Sequence, residues 1–169
     1  MTLNPIVHID MMGLMVMVFS GFRFGWAKPV PVNPANFTDW RRGMLWVSLA
    51  GPISNMILAS IAGVLFHLLP AVGLSGGDLS LAMKFIYWMI FINCALAFFN
   101  MIPLPPLDGS KVLISLMPAR YEHIAYGLER YGPMILIGII AAGFLLPFSP
   151  IWTIIGPFVQ TSVAIFTGQ

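Results

Sequence analysis

Three long stretches of this chain, 43–77, 85–107 and 131–169, contain no Asp, Glu, Lys or Arg. Charge-free apolar runs of that length are hard to keep soluble, and each can supply the ~20 residues that a helix needs to cross a bilayer. Composition agrees: 59% of the residues are hydrophobic and 8% charged, with a mean hydropathy of +0.90, against about 25% charged in an ordinary soluble domain. The sequence therefore predicts an all-α polytopic membrane protein with three or four transmembrane helices and a short N-terminal re-entrant or extended element. The net charge of +2 is gathered in clusters between the runs. No basic stripe with interleaved aromatics accompanies it, which excludes a nucleic-acid partner. One cysteine, Cys94, lies inside an apolar run, so neither a disulfide framework nor a cysteine metal site is expected.

Residues 1–169 read as a single membrane domain. The first ten have no basic region ahead of an apolar core and no small-residue cleavage pattern, so no signal peptide is expected. Met11 to Phe22 is short for a span, and the following segment Phe24-Gly-Trp-Ala-Lys-Pro-Val-Pro-Val-Asn-Pro34 alternates prolines with valines. That pattern favours extended backbone, so 1–42 is expected to form a re-entrant or extended region, a short tilted helix being the alternative. Residues 43–70 form the first secure span, anchored by Asp39 to Arg42. Within it Gly51, Asn55, Ala59 and Gly63 recur every fourth residue, a stripe that lets a neighbouring backbone come close. Pro52 is expected to kink this helix locally, and His67 reads as an interfacial or packed histidine rather than a ligand.

The second span is expected over 81–107, ending in a proline break, with Asn93 and Asn100 on one face looking into the bundle. Residues 108–131 read as an amphipathic helix, 132–147 as a third span, and 151–167 as a fourth span or an interfacial helix. The basic residues of 23–42 and 108–131 place both loops on the cytoplasmic side by the positive-inside rule.

The break itself, Asn100-Met-Ile-Pro-Leu-Pro-Pro-Leu-Asp-Gly109, carries the chemistry. Pro103, Pro105 and Pro106 remove backbone donors and block regular helix. Unwound backbone at membrane depth requires protein or a water-filled cavity to satisfy it. Asp108 at its end has two readings: an N-cap for a helix starting at Gly109, or an intramembrane acid of the kind that marks an ion, proton or metal site.

This segment closely resembles the Asn-x-x-Pro-x-x-Pro-Leu-Asp-Gly motif of the site-2 protease family, the zinc intramembrane metalloproteases. Thr2-Leu-Asn-Pro-Ile-Val-His-Ile-Asp10, Phe24 to Asn33 and Gly51-Pro-Ile-Ser-Asn55 resemble, in order, further landmarks of its compact bacterial branch, which carries no PDZ domain. The resemblance implies regulated intramembrane proteolysis: hydrolysis of peptide bonds in transmembrane protein substrates, within the cell membrane, with zinc as cofactor. It implies that Asp108 is the third zinc ligand, that Asn100 orients the substrate or the developing oxyanion, and that Trp26, Lys28, Pro29 and Asn33 belong to a substrate-entry region. Gly51, Asn55, Asn93, Pro103, Pro106 and Gly109 take structural places.

The sequence departs from the family in one respect. The family's other two zinc ligands and its general base come from an H-E-x-x-H helix, in which histidines at i and i+4 share a face. This chain has only His8, His67 and His123, and only Glu122 and Glu129, none in that pattern. Residues 1–169 alone are therefore expected to bind catalytic zinc weakly and to cleave nothing. A truncated gene or a misplaced start is the expected cause, with a pseudoprotease acting as a membrane binding or regulatory protein as the rival. A small transporter using Asn93, Asn100 and Asp108 is a third reading, with no support from the motif.

Overall fold

The structure, a computed structural model, describes residues 39–72 and 76–168. The expected re-entrant or extended element, with Trp26, Lys28, Pro29 and Asn33, lies outside the described residues. Within them there is no strand. Four helices are long and apolar enough to cross a membrane, as expected of a multi-pass membrane protein.

Helix α1 runs from Trp40 to Leu68. It begins a turn before the first apolar run because Asp39 is extended and its carboxylate accepts from the Arg42 N–H at 3.2 Å, satisfying one of the orphan donors of a helix start. The helix continues through Pro52, which is buried. Helix α2 spans Gly76 to Asn100, starting earlier than the expected 81 and ending where the prolines approach. Asn93 does not need a partner across the bundle for its amide N–H: Nδ2 donates to the Met89 carbonyl one turn back at 2.8 Å.

The segment 108–131 is divided near Pro118. Helix α3, Asp108 to Leu116, ends at Met117, which is extended (ψ 132°) ahead of Pro118, the conformation that a following proline imposes. A single 3-10 turn, Ala119 to Tyr121, leads into helix α4, Glu122 to Leu145. This helix crosses the expected boundary at 131/132 without interruption. The change there is one of composition, and Pro133 just beyond it removes one donor from the ladder without ending the helix. Helix α5, Pro150 to Thr167, is bounded by a Ser149 cap with proline in its first turn and by Gly168 at φ 72°, the proline-in, glycine-out asymmetry of helix ends.

The core lies between α1, α2 and α5. Ala59, Ala62 and Phe66 meet Ile86, Ile90 and Cys94 of α2 and Ile155, Val159 and Val163 of α5. Small residues on α1 face β-branched ones on α5, a close-packing solution suited to helices that gain nothing by hiding apolar surface from lipid. At Gly63 a Cβ would lie 3.1 Å from that of Phe166 and 3.2 Å from its carbonyl oxygen, so part of the expected small-residue stripe is where α5 touches α1. Large apolar side chains such as Trp46, Ile57, Phe85 and Phe144 point outward, toward lipid in this setting.

His67 is a packed histidine. Its Nε2 lies 3.1 Å from the Phe166 carbonyl oxygen, one of the last-turn acceptors of α5 that has no partner inside the helix. His67→Ala is expected to lower stability by about 1 kcal/mol, and hydrogen exchange in detergent should show the loss concentrated in the last turn of α5.

Candidate functional site

The loop 101–107 between α2 and α3 holds its shape with its own atoms. Three of its seven residues are prolines and have no N–H. Each of the other four N–H groups has an acceptor: Met101 to Ala97 O and Phe98 O, Ile102 to Phe99 O at 3.1 Å, Leu104 to Ile102 O at 2.8 Å, and Leu107 to Leu104 O at 3.0 Å. The expectation that outside protein or water must satisfy this unwound stretch is therefore corrected for its donors. Proline has eliminated the ones that would have been left over, and local turns take the rest. The Pro105–Pro106 bond is cis.

Two glycines let neighbouring backbone close on this loop. A Cβ at buried Gly109 would collide with the carbonyl groups of Met101 and Ile102, and one at buried Gly132 with the ring of Pro105. The start of α3 thus sits directly on the end of α2, and α4 grips the loop from the other side. The motif's glycine was legible in the sequence as part of Leu-Asp-Gly. Gly132 was not singled out there, because nothing local marks a helix glycine as a contact point for a distant proline.

Asp108 is the first residue of α3, and the position before it, Leu107, makes no side-chain cap. Capping a helix that starts at Gly109 is therefore not its role. Its Oδ1 accepts from Lys111 Nζ at 3.3 Å, an ion pair with both side chains partly exposed. Its Oδ2 faces α1, where a Cβ on Gly51 would be 3.4 Å away. Of the small-residue stripe, Gly63 admits α5, and Gly51 faces the Asp108 carboxylate. Asn55, one turn further along α1, is half-buried, as is Asn100, the last residue of α2. Ser48, on the same side of α1, is buried with its hydroxyl unpartnered among the described residues. Pro103 and Pro106 are exposed at the loop surface. On the outer side of the loop an apolar groove of about 440 Å³ runs between Phe98, the segment 101–104 and Ile154, Ile155 and Phe158 of α5.

Comparison with known proteins agrees with this motif. Residues 71–142 match the profile of Peptidase family M50. Over 140 residues, 81% of this chain, the sequence is 39% identical to a Bacillus subtilis (strain 168) protein named "Putative zinc metalloprotease YwhC". Residues 71–142 thus carry the profile of peptidase family M50. The chain is also 41% identical over 71 residues, 40% of its length, to "Putative zinc metalloprotease MJ0611" of Methanocaldococcus jannaschii. With "Putative zinc metalloprotease Rip3" of Mycobacterium tuberculosis (strain ATCC 35801 / TMC 107 / Erdman) it shares 27% identity over 100 residues, 57% of the chain. The chain spans 63%, 31% and 24% of the lengths of these three relatives. No solved structure matches it.

These relatives are named for zinc, and among the described residues the donors do not make up a zinc centre. Among the described residues no three His, Cys, Asp or Glu side chains come together, whereas a catalytic zinc takes three protein ligands and a water. His67 is engaged at the end of α5, His123 lies in the first turn of α4, and His8 is outside the described residues. At this site the described residues present one carboxylate, at the start of α3, with one oxygen held by a lysine and the other turned toward a glycine.

Proposed function

We propose that this chain supplies the proline-loop half of a site-2-type intramembrane metalloprotease acting on transmembrane protein substrates. Asp108 is in this reading a zinc ligand and Asn100 a substrate-orienting residue, with 23–42 and 108–131 on the cytoplasmic face. The observation that carries it is the disposition of Asp108: its carboxylate is not used up in capping α3, and a loop with no spare backbone donor holds it at the end of a span. The apolar groove beside the loop supports an apolar substrate segment. Residues 1–169 contain no H-E-x-x-H, so the remaining ligands and the base have to come from outside this sequence.

The test compares residues 1–169 with the same chain expressed together with whatever is encoded in frame ahead of Met1. Bound zinc and cleavage of a membrane-embedded peptide are measured for both. Residues 1–169 alone are expected to hold no stoichiometric zinc and to cleave nothing. If the longer product carries H-E-x-x-H, it should bind one zinc and cleave, and Asp108→Ala should lower zinc affinity and abolish cleavage. Metal-dependent cleavage by residues 1–169 that survives Asp108→Ala would overturn the proposal. An upstream region without the motif would favour a pseudoprotease that binds membrane proteins without cutting them.

A further inference from the structure

Helix α5 is long and apolar enough to cross a membrane, and Ile155, Val159 and Val163 pack it along α1 and α2. The surface it leaves uncovered has two flanks of different character. On one, Ile154, Phe158 and Ile165 are exposed, as contact with lipid tails requires. The other carries Thr153, Pro157, Gln160 and Thr161, all exposed, and half-buried Ala164, which together cover about 100° of arc at 3.6 residues per turn. None of these five is a large apolar side chain.

Gln160 is the group on this flank that lipid cannot satisfy. It is the eleventh of the eighteen residues of α5, about 2 Å past the middle at 1.5 Å per residue. In a spanning helix that leaves it ~15 Å from either edge of the hydrocarbon, further than a glutamine can extend. The hydroxyls of Thr153 and Thr161 are satisfied within α5, on the carbonyls of Ser149 at 3.0 Å and Pro157 at 2.8 Å. In α2 the Asn93 amide turns back onto its own helix in the same way. The Gln160 amide does not: it lines a groove of about 160 Å³ between α2 and α5 and has no hydrogen-bond partner among the described residues. An amide left unpaired in hydrocarbon is costly, and in membranes such groups bond across helices.

The occupant of this flank has to bring a group that both donates and accepts to the depth of Gln160. Copies of one chain inserted the same way are related by an axis along the bilayer normal, so each residue meets its own counterpart at its own depth. A second copy therefore presents a primary amide where one is needed, and an amide complements itself, the NH₂ of each donating to the C=O of the other. Thr161 and Ala164 are small enough to let two such helices come close. We propose that the chain forms a symmetric dimer through this flank of α5, with Gln160 hydrogen-bonded to Gln160 of the second copy. The contact is independent of Asp108 and of any metal chemistry.

Sedimentation equilibrium of the full chain in density-matched micelles is expected to show a reversible dimer. Gln160→Leu should weaken it about tenfold, the worth of an interhelical polar pair, and Gln160→Asn should recover part of the loss, while circular dichroism of both remains that of the parent. Oxidative cross-linking in vesicles gives an independent readout, because the native Cys94 is buried. Ala164→Cys, one turn from Gln160 on the same flank, should form a disulfide-linked dimer, and adding Gln160→Leu should lower its yield. Ile165→Cys, on the lipid flank, should not cross-link. A chain that stays monomeric, which would leave the flank to a transmembrane helix of another protein, would overturn the proposal. So would a dimer indifferent to Gln160→Leu, or one that cross-links through Ile165→Cys in preference to Ala164→Cys.

Discussion

Gly109→Ala is expected to destabilise the protein by about 3 kcal/mol or more, toward the upper end for overpacking a buried site. The added methyl would collide with the backbone carbonyls of Met101 and Ile102, which are held in place by turns of the loop. A flexible side chain could swing away from such a contact, but a hydrogen-bonded backbone cannot. In an open helix position the same change would gain up to ~1 kcal/mol of helix propensity, so the sign itself is diagnostic. Gly127 and Gly138 in α4 supply the control, because a Cβ there meets nothing within 4 Å. Reversible unfolding in mixed micelles should show Gly109→Ala strongly destabilised and Gly127→Ala and Gly138→Ala unchanged or improved. Equal behaviour of all three would mean that α3 does not sit on the end of α2 as described.

The second large effect is expected at Gly132, where a methyl would run into the ring of Pro105. The proline ring cannot rotate out of the way, so Gly132→Ala should cost about 2–3 kcal/mol. Part of that cost should be returned in the double variant Gly132→Ala, Pro105→Ala, since two residues in direct contact are energetically coupled. Unfolding curves for the two single variants and the double variant measure this coupling. Simple additivity would show that α4 and the loop do not touch.

These two glycines mark the limit of what could be read without coordinates. Gly109 is recognisable because it stands in a motif with prolines before it and a helix after it. Gly132 follows Tyr131 in a run where any helix glycine looks alike, and its role depends on a residue far back in the chain. The same distinction holds along α1. The stripe Gly51, Asn55, Ala59, Gly63 was visible as spacing, and spacing says that something approaches. That Phe166 approaches one of its members and Asp108 another is a fact about the arrangement of α3 and α5. The boundary expected at 131/132 is not a break. The charged-to-apolar change near Tyr131 does not interrupt α4, which continues through Pro133, whereas Met117 before Pro118 does end a helix.

By itself the sequence determined the class of environment, three or four spans, the place of the proline break and the family motif around Asp108, since all of these rest on local chemistry: apolar run length, missing backbone donors, residue spacing. Only the tertiary structure showed the surroundings of Asp108. Whether a carboxylate before a helix caps it or faces elsewhere depends on where that helix starts and what stands beside it. Here α3 starts on Asp108 itself, Lys111 takes one oxygen, and the other faces Gly51 of α1.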